Sequence, residues 1–151
     1  MSVKAKILVI DDDQLICETL NALLENEGYL VDTAENGQQA IKKSFDNFYN
    51  IAIVDWRLPD IEGTQLLGRL KETTPKMMKI MLTGFPSTNN AVEAVNNRAD
   101  AFFLKPVNLD VLLTKIRALL KEQEQAKNYT EEKVGEFIET RTKELLQKRK
   151  P

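Results

Sequence analysis

Short apolar runs and longer amphipathic stretches alternate along the chain. The runs are Lys6–Ile10, Tyr29–Thr33, Ile51–Val54, Lys79–Thr83 and Ala101–Leu104. Those at 7–10, 51–54, 80–82 and 101–104 are unbroken, as in strands covered on both faces. The second run carries Asp32 and reads as an edge strand. Between the runs, apolar residues recur at helical spacing. Leu15, Ile16, Leu20, Leu23 and Leu24 mark a first helix, capped by Asp13 and stopped at Gly28. Ala40, Ile41 and Phe45 mark a second, and Leu66, Leu67 and Leu70 a third that closes before Pro75. Ala91, Val92, Ala94 and Val95 mark a fourth. Leu109, Leu112, Leu113, Ile116, Leu119 and Leu120 mark a fifth. Five strands alternating with five helices predict an α/β fold, a doubly wound parallel sheet of order 2-1-3-4-5. Ligands of such sheets bind outside the carboxyl ends of the strands.

From about residue 122 the pattern changes. A polar stretch, KEQEQAKNYTEEK, precedes a second apolar stripe of Val134, Phe137, Ile138, Leu145 and Leu146. We therefore divide the chain into a domain at 1–121 and a helical extension or linker stub at 122–151. Asn128 with Glu131 three residues on predicts either the cap of a new helix or one position in a single long helix continuing from the fifth. In the second case a weak heptad seam runs through Gln123, Lys127 and Thr130. A lone amphipathic helix must bury its stripe, and pairing with a second copy through this helix is the simplest expectation.

Composition narrows the chemistry. The 151 residues are 42% hydrophobic and 29% charged, with a net charge of -2. That balance leaves no basic footprint, so direct nucleic-acid binding is not expected. The chain contains no histidine, which removes Ser–His and Cys–His nucleophile pairs and most zinc sites. A single cysteine, Cys17, allows no intrachain disulfide and suits a reducing compartment; it reads as a small core residue. No signal pattern or membrane-length apolar run is present, so no membrane association and a cytoplasmic location are expected.

The remaining polar groups converge. The first strand ends on Asp11 and Asp12, the third on Asp55, the fourth on Thr83, and the fifth on Lys105 before Pro106. The predicted topology gathers three carboxylates, a hydroxyl and an ammonium at one crevice. Two carboxylates about 4 Å apart repel by about 4 kcal/mol at an effective dielectric of 20. A hard divalent cation such as Mg²⁺ offsets that repulsion and readies a carboxylate to meet a phosphoryl donor. Lysine and hydroxyl supply donors to phosphoryl oxygens.

ILVIDDD at 7–13, IVDWRLPDIEG at 53–63, IMLTG at 80–84 and FFLKP at 102–106 together resemble the receiver domain of two-component response regulators. The resemblance spans about 120 residues. It implies a phosphorylation-controlled binding module rather than a turnover enzyme, with slow autodephosphorylation. Asp55 would accept the phosphoryl group from a sensor histidine kinase or phosphotransfer protein. Asp12 and Asp55 would bind Mg²⁺, Asp11 mainly through water, and the Arg57 carbonyl would add a further ligand. Thr83 and Lys105 would contact the phosphoryl group, and the Lys105–Pro106 peptide would be cis. Thr83 and Phe102 would form the switch, acting on an output partner through the fourth helix, fifth strand and fifth helix. Arg98 stands where the family commonly has Gly, and Phe102 carries no hydroxyl. One rival from another class is a haloacid-dehalogenase-like phosphatase using Asp11, with Thr83 and Lys105 as its later motifs. Leu15, where such enzymes want Thr or Val, argues against it.

Overall fold

The computed structural model describes residues 4–84, 92 and 99–148. Its elements, in chain order, are β1 (Lys6–Ile10), α1 (Gln14–Asn26), β2 (Leu30–Ala34), α2 (Gly37–Asp46), β3 (Ile51–Asp55), α3 (Gly63–Leu67), β4 (Met78–Thr83), β5 (Ala101–Leu104) and α4 (Leu109–Lys148). The five strands form one parallel sheet of order β2-β1-β3-β4-β5, as the alternation of runs predicts. β2 lies at one edge. Its Asp32 is satisfied there by the Tyr49 hydroxyl, which donates at 2.6 Å, and by Lys6 at 3.2 Å.

The unbroken runs of β1, β3 and β4 follow from burial on both faces; that of β5, at the other edge, is only half-buried, with Leu104 48% exposed. Side chains alternate across a strand, so Leu8, Ile10, Ala52, Val54 and Met81 pack with α2 and α3. Ile7, Val9, Ile51, Ile53 and Leu82 face the other way, toward α1 and the first turns of α4. Asp13 caps α1 by accepting from the N–H groups of Leu15 and Ile16, at 2.9 and 3.3 Å. Gly28, at φ +93°, ends it in the left-handed region that glycine enters freely.

Two local expectations change, and one open alternative is decided. Leu15 and Phe45, assigned to buried helix faces, are 70% and 57% exposed. Both sit at helix ends, where the periodic stripe overruns the sheet. α3 closes at Leu67, well before Pro75, and a turn carries Leu70 into the core. No new helix begins at Asn128: α4 runs unbroken through it for 40 residues. Of the helix expected around Ala91–Val95, only Val92 is described, and it is helical; Arg98 lies outside the described residues. The Lys105–Pro106 peptide is cis, and so is Thr74–Pro75.

Candidate functional site

The register of the sheet aligns the site. Ile10 pairs with Val54, Asp55 with Leu82, and Thr83 with Leu104. The residues just beyond or at these positions therefore share the carboxyl edge of four adjacent strands. Three backbone bonds hold that edge in place. Asp11 donates its N–H to the Ala34 carbonyl at 3.0 Å, Trp56 to Leu82 at 2.8 Å, and Lys105 to Thr83 at 2.7 Å.

Lys105 Nζ bridges two carboxylates, at 3.0 Å from Asp11 Oδ2 and 2.9 Å from Asp55 Oδ1. Asp11 and Asp55 are buried, at 2% and 7% exposure, whereas Asp12 is exposed. The other Asp11 oxygen accepts the Asp13 N–H at 2.9 Å. Thr83 is fully buried at the end of β4. Burial pushes the Asp55 carboxyl above its ordinary value. The Lys105 hydrogen bond pulls it back, but the neighbouring Asp11 and Asp12 charges add to the rise. Burial by itself lowers the Lys105 ammonium; the bonds to Asp55 and Asp11 outweigh it and hold the group above its usual range. Three carboxylates meet one ammonium in the crevice, so acidic groups outnumber the bridging cation.

That donor set fits a hard divalent cation. One oxygen each from Asp11, Asp12 and Asp55 lies within 4.8 Å of the others. An octahedral Mg²⁺ with oxygens at about 2.1 Å needs cis ligands about 3.0 Å apart and trans ligands about 4.2 Å apart. At most one pair among three octahedral ligands is trans, so separations of up to 4.8 Å must close by about 0.6 Å at a trans pair and by up to about 1.8 Å at a cis pair.

The loop after β3 is tied down at two points that the sequence reading missed. Gly63 donates its N–H to the Trp56 carbonyl at 2.7 Å, and a Cβ there would stand 2.2 Å from the Asp55 carbonyl oxygen. Asp60 reaches across to α2 and accepts from the N–H groups of Gly37 and Gln38, at 2.8 and 3.0 Å. The Gly37 bond comes first in holding the Asp60 carboxyl below its ordinary value, and a helix N-terminus favours that charge. A lone Asp after Pro59 carried no signal of this partner. Arg57 and Glu62 form an antiparallel bridge within the same loop. Trp56 is buried in the core cluster of the α2–α3 face. Phe102 is half-buried against that cluster.

Comparison with known proteins agrees with this geometry. The family model described as "Response regulator receiver domain" matches residues 7–117. The transcriptional regulatory protein ZraR of Klebsiella oxytoca is 33% identical over 132 residues, covering 87% of this chain and 30% of that protein. The chain spans between 30% and 54% of the length of the curated relatives it matches first. Among solved structures, a CheY-like response regulator receiver domain protein from Methanospirillum hungatei JF-1 is 42% identical with a TM-score of 0.78. The match covers 82% of this chain and 99% of that one. A response regulator from Burkholderia pseudomallei, solved with a phosphorylated aspartic acid, a calcium ion and citrate, is 31% identical with a TM-score of 0.70. That match covers 83% of this chain and 72% of the other. The haloacid-dehalogenase-like reading finds no support in these matches.

Proposed function

The chain belongs to the response regulator receiver domain family of two-component signal transduction, and on that premise we propose that Asp55 accepts its phosphoryl group. The observation that carries this is the Lys105 bridge between two buried carboxylates, Asp11 and Asp55, with Asp12 beside them. Asp55 is the one at the end of the central strand, flanked by β1 and β4. The Burkholderia relative carries a phosphorylated aspartic acid and a cation, which suits the same chemistry.

The donor is a phosphohistidine on a sensor histidine kinase or a phosphotransfer protein. An Asp55 carboxylate oxygen attacks phosphorus. The new O–P bond forms as the P–N bond breaks, and the imidazole nitrogen leaves with the electron pair and takes a proton from water. The Lys105 ammonium and the Thr83 hydroxyl donate to the phosphoryl oxygens. Asp12, Asp55 and the Arg57 carbonyl would hold Mg²⁺, with Asp11 acting through water, and the ion would neutralise charge on the transferring oxygens. No turnover of a separate substrate is needed, so the module signals by changing state.

An apolar hollow of about 510 Å³ opens beside Lys105, between α1 and the segment leading into α4, with Leu15, Ile16, Pro106 and Val107 on its walls. It adjoins the reacting atoms, so we place the phosphohistidine-bearing partner there. Thr83 and Phe102 then carry the switch. Thr83 moves toward the phosphoryl oxygens, and Phe102 turns inward. Its effect on the output partner runs through β5 and α4. Residues 1–121 form the receiver domain and 122–151 its helical extension, whose exposed stripe is covered by a second copy. Kinase exchange and the lone buried cysteine suit the cytoplasm; among the described residues no helix is long and apolar enough to cross a membrane.

The test is direct. Incubation with acetyl phosphate and Mg²⁺ should give one phosphoryl mass gain, lost in Asp55→Asn. Equal modification of Asp55→Asn together with loss in Asp11→Asn would return the phosphatase reading. Beryllofluoride, a phosphoryl mimic, should shift amides of β5 and α4; shifts confined to the Asp55 loop count against the switch.

A further inference from the structure

The last 20 residues or so of α4 leave the domain with an apolar face uncovered. Val134, Phe137, Ile138 and Leu145 are 52%, 70%, 58% and 50% exposed. This face is not a new one. At 100° per residue, Leu112, Ile116, Leu119 and Gln123 fall in the same arc of about 100° as Val134, Ile138, Arg141 and Leu145. The first four are buried against the sheet, so the exposed stripe prolongs the docked one past the edge of the domain.

From this stripe we infer that the second copy pairs antiparallel, tail to tail, with the two receivers at opposite ends of the paired helices. The inference rests on the reading above that a second copy covers the stripe, and it adds the direction. Charge decides that direction. Placing Val134 and Leu145 on the seam, with the 3–4 spacing through Ile138 and Arg141, also puts Glu131 on it. In a parallel pair each seam residue meets its own copy. Arg141 would lie beside its own copy and Glu131 beside its own, which brings like-charged heads to the same stretch of the seam.

Reversing one helix about a point between Glu139 and Thr140 removes both clashes. Val134 of one copy then meets Leu145 of the other, and Ile138 meets the aliphatic stem of Arg141. The Arg141 head already bonds Glu144 of its own helix at 3.0 Å and stays at the rim. Segment charge points the same way. Residues 131–139 carry four glutamates against Lys133, whereas residues 141–148 carry Arg141, Lys143 and Lys148 against Glu144. Antiparallel pairing sets the acidic segment of each copy beside the basic segment of the other. Gly135, which costs about 1 kcal/mol of helix stability relative to Ala, then falls within the paired stretch and gains support from it.

Spin-label distances in the full chain decide the matter. The background is Cys17→Ala, which removes the one native thiol. A label at Asn128→Cys should give a distance of about 35 Å between copies in the antiparallel pair and about 10 Å in a parallel one. A label at Thr140→Cys, near the proposed centre, should give about 10 Å. A long distance at 128 with a short one at 140 is the expected result. Short distances at both positions overturn the direction while leaving the dimer. A dimer with neither distance short overturns pairing through this stripe, and a monomer at tens of micromolar overturns both. None of these outcomes bears on Asp55, which stands or falls on its mass gain.

Discussion

At the scale of single residues, the site is a set of repulsions held in check. Asp11, Asp12 and Asp55 are crowded, and Lys105 offsets only part of their charge. Asp12→Ala should abolish Mg²⁺ binding, read by calorimetry, because its carboxylate is the most exposed of the three and open to the ion. Full metal affinity in that variant would remove Asp12 from the ligand set. The Asp55 carboxyl titrates above its ordinary value because it is buried. A raised carboxyl stabilises the fold most below the unfolded value of about 4, and that contribution is lost as pH rises through the folded value. In metal-free buffer, Asp55→Asn should therefore melt a few degrees higher than wild type at pH 7. The gain should shrink toward pH 4. A gain independent of pH would mean that charge is not its source. Lys105 is raised as well, so its own contribution holds through neutral pH and is lost only above about pH 10.5.

At the scale of elements, two contacts far from the charges decide how the site is held. Gly63 starts α3 directly against the Asp55 carbonyl, with no room for a Cβ at 2.2 Å. Gly63→Ala should cost about 1–3 kcal/mol in urea melts, as overpacking does, and should lower the rate of phosphorylation. Unchanged stability would mean that the β3–α3 loop yields freely. Gln123 anchors α4 where it leaves the sheet. Its side chain is buried and donates to the carbonyls of Asn50 at 3.0 Å and Lys76 at 2.7 Å. In return its oxygen accepts from Asn50 Nδ2 at 2.9 Å. Gln123→Leu removes a donor from the Lys76 carbonyl and the acceptor of Asn50 Nδ2, while the Asn50 carbonyl keeps the Met78 N–H, and should cost about 1–3 kcal/mol; a neutral outcome would show that water replaces the amide. Sequence reading had Gln123 on a helix seam. Its spacing from Ile116 and Leu119 was the one clue that it faces the domain, and a polar side chain in a polar run hid that clue.

At the scale of the whole molecule, one end of the sheet gathers the candidate site and the other end launches a helix. The crevice lies at the carboxyl edge. α4 departs past the opposite edge, where Lys4, Lys6, Phe48 and Lys127 surround its exit in a hollow of about 690 Å³. We propose partner docking at the first end. Leu15, 70% exposed on the wall of the hollow beside Lys105, is the test position. Leu15→Asp should slow phosphoryl transfer from a histidine kinase at least tenfold and leave modification by acetyl phosphate unchanged. An equal loss with both donors would place Leu15 in the chemistry rather than in docking.

The fold and the strand-end residues were legible in the chain because period and position carry them. The continuous runs of β1, β3 and β4 are buried on both faces, and a parallel sheet then gathers its strand ends on one side. The strand-end positions of Asp11, Asp12, Asp55, Thr83 and Lys105 follow from that, and the roles proposed for them rest on the family resemblance. What the sequence could not determine depends on partners distant along the chain. Lys105 reaches Asp11 across 94 positions, Gln123 reaches Asn50 across 73, and Asp60 reaches Gly37 across 23. The exposure of Leu15 and the burial of Gln123 likewise depend on where each helix meets the edge of the sheet. Periodicity fixes which face of a helix is apolar, but only packing fixes how far along the helix that face stays covered, and α4 runs on past the point where the sheet ends.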